Sequence, residues 1–118
     1  MNQEEYQNNI IAIANHYDYD SQSRQLIEEM AELTVSINKL WRVERFCDRK
    51  NIMDVKGFSY PETKEIIGEI ADVEIMLSQI KYLLNCNNKV EQEKERKILR
   101  QLERIEKNER VEMLPVLW

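Results

Sequence analysis

Two pairs of acidic residues, each pair separated by two positions, are the side chains of this sequence best placed to do chemistry. Glu29 and Glu32 lie in LIEEMAEL, and Glu69 and Asp72 lie in IIGEIADV. At about 100° per residue, the members of a pair lie about 60° apart on one side of a helix, at the edge of its apolar stripe. Ionised carboxylates are costly to bury, so acids at these positions require a physical explanation.

The two acid pairs occupy equivalent places in an internal repeat. Leu26–Leu40 aligns with Ile66–Ile80, apolar position over apolar position and acid over acid. If the two helices pack antiparallel through their stripes, the four carboxylates converge on one spot. Repulsion and desolvation would then raise their pKa values and destabilise the fold unless a cation compensates. Carboxylate oxygens suit hard ions, so we expect Mg²⁺ here, with Mn²⁺ as the other candidate.

Two further acids border this predicted site. Glu28 lies further round the first helix, beside the site or in solvent. Glu65 lies one turn before Glu69 and either extends the acidic strip or simply suits the first turn of its helix. One acid pair alone is more commonly a solvated face, whereas two pairs in register favour a site.

Four helices are predicted around these acids. Their ranges are about 3–16, 22 to a terminus between 45 and 49, 61–84 and 89–107. DYDSQS (18–23) offers a stop and N-cap candidates, and NCNN (85–88) ends the third helix. NIMDVKGFSYPETK (51–64) is a long connection of undefined role, and the apolar tail VEMLPVLW (111–118) is expected to pack on the bundle or on a second subunit.

The fold class follows from this pattern and from composition. No segment alternates like a strand, and glycine and proline number two each. We therefore predict an all-α, antiparallel four-helix bundle made of a single domain, 1–118.

Charge and apolar content exclude several classes of protein. A net charge of −5 argues against binding a nucleic acid polymer, because phosphate contacts need clustered cations. No apolar run reaches the roughly 18 residues of a membrane span, and MNQEEYQNN does not look like a secretory signal. With Cys47 and Cys86 interpreted as reduced thiols, a cytoplasmic location is expected.

The acid motifs resemble those of a known family. Glu28-Glu29-x-x-Glu32 followed by Glu69-x-x-Asp72 is similar to the EExxE and ExxD motifs of the MazG-like nucleoside triphosphate pyrophosphohydrolases, and the likeness covers about residues 20–84. The resemblance implies hydrolysis of a nucleoside triphosphate to the monophosphate and pyrophosphate. It also implies a homodimer or homotetramer whose second subunit completes the site.

The same resemblance assigns roles to the acids. Glu29, Glu32, Glu69 and Asp72 would hold Mg²⁺, and Glu28 and Glu29 would be the catalytic acids, with Glu28 beside the ligands to position water. The spacer between the two motifs is longer than in compact members of the family, which leaves the connecting loop, as a lid or a base contact, unexplained.

A triphosphate would also need cations and a slot for its base. The chain has no lysine-bearing glycine-rich loop, so it is not a P-loop NTPase. The candidate substrate-binding residues are polar and basic side chains after the acid motifs or on the last helix: Asn38, Lys39, Arg42, Lys81, Arg100 and Arg104. The candidates for the base slot are aromatic: Trp41, Phe58 and Tyr82. The preferred nucleotide is not defined by these residues.

Two other functions are compatible with a helical bundle. A carboxylate-bridged di-iron protein would use Glu-x-x-His pairs, and this chain has no histidine near either acid motif. A non-enzymatic interaction module would suit the charged last helix and the apolar tail.

Overall fold

The computed structural model describes residues 1–46 and 61–107, and these ranges contain three helices and no strand. Helix α1 is Gln3–Phe46, α2 is Pro61–Leu83 and α3 is Asn87–Glu106. The predicted all-α class is confirmed. The expectations for the connection, including Cys47 and Phe58, and for the apolar tail concern residues outside the described ranges.

The first two predicted helices form one helix with a break. Asp18 has non-helical backbone angles, φ 74° and ψ 172°, in the middle of α1. Its carboxylate Oδ1 accepts a hydrogen bond of 3.0 Å from the backbone N–H of Ser21, which is the contact of an N-cap with the third residue of a helix. The N-cap predicted in DYDSQS is thus present, and it starts a second helical segment (19–46).

The second segment of α1 runs antiparallel to α2. Gln22 Nε2 donates a hydrogen bond of 2.6 Å to Gln79 Oε1, and Ser36 Oγ lies 3.4 Å from Glu65 Oε1. Moving forward along α1 therefore means moving backward along α2. In both pairs the residue numbers add up to the same value, so the two helices keep one register between these contacts.

The first segment (3–17) runs the other way. Tyr6 OH lies 2.9 Å from Ser78 Oγ, and Tyr82 OH donates a 3.1 Å hydrogen bond to Asn15 Oδ1. Residue numbers on both helices now increase together. The chain therefore changes direction at Asp18 and packs its first segment against the C-terminal half of α2.

The core is a narrow seam between these segments. Buried apolar residues come from all three: Ile10, Ala14, Leu40, Val73 and Met76. Half-buried residues extend the seam: Leu26, Leu33, Ile66 and Ile80. The broader stripes predicted from the sequence are split, because part of each lies outside the seam. That part is exposed: Met30, Ile37, Trp41, Ile70 and Leu77.

The chain divides into two compact units after Leu84. The first holds α1 and α2. Asn85, with φ 52°, ends α2 where NCNN predicted a stop. The second unit begins at Asn85 and holds α3, whose surface carries ion pairs such as Lys94–Glu91 and Lys107–Glu103. The predicted four-helix bundle and the single domain remain predictions.

None of the helices in the described ranges combines the length and apolar character that a membrane span requires.

The buried pair Gln22–Gln79 should hold the antiparallel register. Replacing Gln79 by Leu removes the acceptor of Gln22 Nε2, and leaving a buried donor unpaired costs about 1–3 kcal/mol of unfolding free energy. The double variant Gln22→Leu/Gln79→Leu should be more stable than the single one, because neither amide is left unpaired. Urea unfolding measures both, with Gln92→Leu on exposed α3 as the control. Equal stability of the single variant and the unchanged protein would contradict this role.

Candidate functional site

Three of the predicted acids meet between α1 and α2. Glu29 and Glu32 of α1 and Glu69 of α2 each offer a carboxylate oxygen, and these three oxygens lie within 4.8 Å of one another. The helix register explains why these acids come together. The residue numbers of Glu32 and Glu69 add up to the same value as those of Ser36 and Glu65, so the two acids lie opposite each other on the antiparallel helices. We call these three residues the carboxylate cluster.

Two oxygens of the carboxylate cluster are buried and unpaired. Glu29 Oε1 accepts a hydrogen bond of 2.8 Å from Gln25 Nε2. Glu29 Oε2 and Glu69 Oε2 have no hydrogen-bond partner within the described residues, and both atoms are inaccessible to water. Buried carboxylate oxygens without a donor are costly. This arrangement is what a cation in contact with both oxygens would relieve.

Like-charge repulsion acts within the cluster. The Glu29 carboxylate raises the pKa of Glu32 above its ordinary value of 4.5, and desolvation, Glu69 and Glu28 add to the effect. Glu32 itself is exposed. The third acid of the cluster therefore remains open to solvent and to an entering ion.

An open groove of about 300 Å³ runs beside the cluster. Acidic residues of both helices line it together with small and apolar ones: Glu28, Ala31, Glu32, Val35, Ser36, Glu65 and Glu69. Glu28 thus lies on the wall of the groove, and it is also exposed to solvent. Glu65 also belongs to the groove.

Asp72, the fourth predicted ligand, does not join the cluster. It is exposed, and the three-carboxylate group forms without it. The helix register sets Asp72 level with Glu29, because their residue numbers add up to the same value as those of Glu32 and Glu69. The prediction that four carboxylates converge is therefore met for three residues in this structure.

One predicted phosphate-binding residue lies beside the groove. Lys39 Nζ is 3.4 Å from Glu65 Oε2. Asn38 and Arg42 are exposed on α1, about 9 Å and about 15 Å beyond Glu32 along the helix axis. Lys81 lies in the last turn of α2, about 18 Å along that helix from Glu69.

The remaining candidates belong to α3 and to the C-terminal parts of α1 and α2. Arg100 and Arg104 lie on α3, in the second unit. Trp41 is exposed, with the guanidinium of Arg45 5.3 Å from its ring centroid. Tyr82 is held by its hydrogen bond to Asn15. None of these contacts involves the carboxylate cluster.

Two polar residues that support the acids were not predicted as site residues from the sequence. Gln25 lies one turn before Glu29 and donates to it, and Ser36 is buried one turn after Glu32, facing Glu65. The sequence does hold a signal for both residues. Buried positions of α1 recur every three or four residues, and each of these polar residues lies at or next to a position where an apolar residue would be expected.

Comparison with known proteins adds no assignment: no family model, no curated protein and no solved structure matches this chain.

The raised pKa of Glu32 predicts a pH dependence of metal-free stability. A group whose pKa is higher in the folded state stabilises below its ordinary pKa of 4.5, and that contribution is lost as the pH rises through the raised value. Glu32→Gln should therefore melt at a higher temperature than the unchanged protein at pH 7.5 in EDTA. The difference should shrink as the pH falls toward 5.

The control for this experiment is Glu74→Gln, an exposed acid on α2. Its effect on the melting temperature should be small and should change little between the two pH values. A Glu32→Gln variant that melts below the unchanged protein at pH 7.5 would show that repulsion in the cluster is absent.

Proposed function

We propose that this protein is a Mg²⁺-dependent hydrolase that converts a nucleoside triphosphate to the monophosphate and pyrophosphate. The observation that carries the proposal is the carboxylate cluster, in which two helices bring three acids within 4.8 Å of one another. The cluster includes three of the five acids through which the sequence resembles the MazG-like pyrophosphohydrolases. Its position beside an open groove leaves room for a ligand.

The chemistry of the donor set supports Mg²⁺, or Mn²⁺ in its place. All the donors are carboxylate oxygens, which hard divalent ions prefer. The buried and unpaired oxygens of Glu29 and Glu69 lack the donors that an acid serving only the fold would need. A divalent ion held by the cluster residues, with Asp72 as a further candidate ligand, would satisfy both oxygens.

The reaction would divide between the ion and the protein residues. A bound Mg²⁺ ion neutralises phosphate charge and lowers the pKa of a water ligand. Glu29, Glu32 and Glu69 would hold the ion, and Gln25 fixes the carboxylate of Glu29 by donating a hydrogen bond to it. Glu28 on the groove wall is the candidate to position the attacking water and accept its proton.

The phosphates also need direct positive charge. Among the predicted substrate-binding side chains, Lys39 contacts a residue of the groove, Glu65. We assign it to the phosphate chain. Asn38, Arg42, Lys81, Arg100 and Arg104 stay candidates for contacts with a bound nucleotide or with a second subunit.

Assembly is the second part of the proposal. The exposed apolar side chains of the α1–α2 pair, among them Trp41, Ile37 and Leu77, are more than a two-helix layer usually leaves open to water. We propose that a homodimer or homotetramer covers them and completes a four-helix arrangement. Because its proposed substrate is a cytoplasmic metabolite, we also propose a cytoplasmic location.

The second candidate function is a non-enzymatic interaction module. The observation in its favour is the exposed apolar stripe of α3, where Ile98, Leu99, Leu102 and Ile105 are each more than half exposed. Such a stripe suits a partner helix. This candidate predicts that the carboxylate cluster has no role in binding a divalent ion, whereas the hydrolase requires one.

The hydrolase is tested with a panel of canonical deoxy- and ribonucleoside triphosphates. We expect pyrophosphate and the monophosphate as products, dependent on Mg²⁺ and abolished by EDTA. Glu69→Gln should lower the rate at least about a hundredfold, since even residues that only support a metal ligand contribute about 10–100-fold. Product identity is read by ³¹P NMR, and Glu74→Gln is the matched control on the same helix.

Three outcomes would contradict the proposed hydrolysis of a nucleoside triphosphate to the monophosphate and pyrophosphate. They are the absence of Mg²⁺-dependent turnover across the panel, release of orthophosphate in place of pyrophosphate, and a Glu69→Gln variant as active as the Glu74→Gln control.

A further inference from the structure

We propose that the side of the α1–α2 pair opposite the groove binds a second copy of this chain, so that each groove stays open and is formed by one chain alone. The inference rests on the homo-oligomer of the proposed function, and it goes further by naming the contact face and its consequence for the site. The resemblance implies the reverse, a site that the second subunit completes. The inference does not depend on hydrolysis.

The groove marks one side of the helix pair. On α1 it is lined by Glu28, Glu32 and Val35, each directly before a buried or half-buried residue of that helix. On α2 it is lined by Glu65, which directly precedes half-buried Ile66. Successive residues of a helix are rotated by about 100°. In an antiparallel pair, the positions just before the contact residues therefore point to one side on both helices, and the positions just after them point to the other side.

Apolar side chains occupy that other side. Each directly follows a buried or half-buried residue of its helix, and each is between 41% and 65% exposed: Ile27, Met30, Ile37, Trp41, Ile70 and Leu77. We call these six residues the apolar face. A continuous exposed patch of large apolar side chains marks a contact surface, because monomeric proteins seldom leave such a patch open to water.

The apolar face is large enough for a stable contact. The helix register sets Leu77 level with Arg24, because their residue numbers add up to the same value as those of Gln22 and Gln79. From that level to Trp41 the face is about 25 Å long, and two packed helices are about 20 Å wide. A face of about 500 Å² on each copy gives about 1,000 Å² in a dimer, which reaches the lower limit for a specific interface.

The spacing of the apolar face fits two further helices of the same kind. Its residues lie three, seven and four positions apart on α1 and seven positions apart on α2. Apolar residues at these spacings are what helices of an antiparallel bundle present to one another. A copy related by a two-fold axis brings the same face to the contact. Two such helix pairs then form two layers around a shared apolar interior.

Charge favours contact through this face over contact through the groove side. Four acids line the groove: Glu28, Glu32, Glu65 and Glu69. Each chain also has a net charge of −5, so two copies packed groove to groove would bring both sets of carboxylates together at a cost in free energy. Contact through the apolar face leaves the two grooves on the outer sides of the dimer, where each is open to a ligand.

Sedimentation equilibrium of the full chain at micromolar concentration tests the contact. We expect twice the mass of the 14.2 kDa chain, or a multiple of that dimer. Ile70→Glu should weaken dimerisation at least about a hundredfold, because two-fold symmetry removes the buried side chain twice. Met30→Glu on α1 should act in the same way, so that the result does not depend on one variant.

Ile75→Glu is the matched control, with the same substitution on the same helix. Ile75 is 39% exposed and directly precedes buried Met76, so it points to the groove side of the pair. This variant should dimerise within about twofold of the unchanged protein, as expected for a substitution outside the contact. Circular dichroism melting curves show that each variant is folded.

Thiol labelling shows which side is covered. One thiol is introduced into a Cys47→Ser/Cys86→Ser background, either by Ile37→Cys on the apolar face or by Val35→Cys in the groove. The two positions are 50% and 61% exposed in the single chain. In the dimer, the Ile37→Cys thiol should react at least about tenfold more slowly than the Val35→Cys thiol, because the reagent needs an accessible thiolate. Adding Ile70→Glu should bring the two rates together.

Each result has a distinct meaning. A chain that is monomeric at these concentrations overturns the inference and the proposed assembly, and it leaves the hydrolysis standing. If Ile75→Glu dissociates the dimer as much as Ile70→Glu, or if the Val35→Cys thiol is the protected one, the groove side is covered and the inference is wrong. An Ile37→Cys thiol that is protected in a monomer shows that this chain covers its own apolar face. A protein that dimerises through the apolar face but hydrolyses no nucleotide overturns the hydrolase and leaves this inference standing.

Discussion

Repulsion among carboxylates at one level of the α1–α2 pair is the constraint on which the rest of the arrangement depends. Glu29, Glu32 and Glu69 approach within 4.8 Å, and two of their oxygens are buried without a donor. A fold of limited stability tolerates such a concentration of charge only if something compensates it under working conditions. In the proposed function, a hard cation would compensate all three acids at once, and the same cation would serve phosphoryl chemistry.

The helices serve this cluster by holding a single register. The buried amides of Gln22 and Gln79 bond at one end of the antiparallel pair, and Ser36 meets Glu65 toward the other, with the acids between them. The break at Asp18 lets the first segment of α1 turn back and cover the C-terminal half of α2. A slip of one turn would separate Glu32 from Glu69, so the carboxylate cluster forms only in this register of the two helices.

Much of this could be predicted from sequence, for identifiable reasons. Local signals were sufficient for the stop at Asn85 and for the cap at Asp18, because each depends on a few adjacent residues. The meeting of Glu29, Glu32 and Glu69 was predicted from the repeat, which gives each helix an acid pair at the same place. Antiparallel packing then sets the second acid of one pair, Glu32, opposite the first acid of the other, Glu69. The continuity of α1 was not predicted, because an N-cap signal does not say whether the preceding helix stops. The burial of Gln79 in place of Ile80 depends on its partner Gln22, which periodicity does not identify. The exposure of Asp72 likewise depends on its tertiary surroundings, which the spacing of the acid motif does not determine.

The most direct test of the account is the location of a cation. Crystals of the protein soaked with Mn²⁺ should show an anomalous peak bonded, at about 2.0–2.2 Å, to carboxylate oxygens of Glu29, Glu32 and Glu69. A cluster that stays free of Mn²⁺ at millimolar concentration, with its carboxylates turned into solvent or paired with basic side chains, would contradict it.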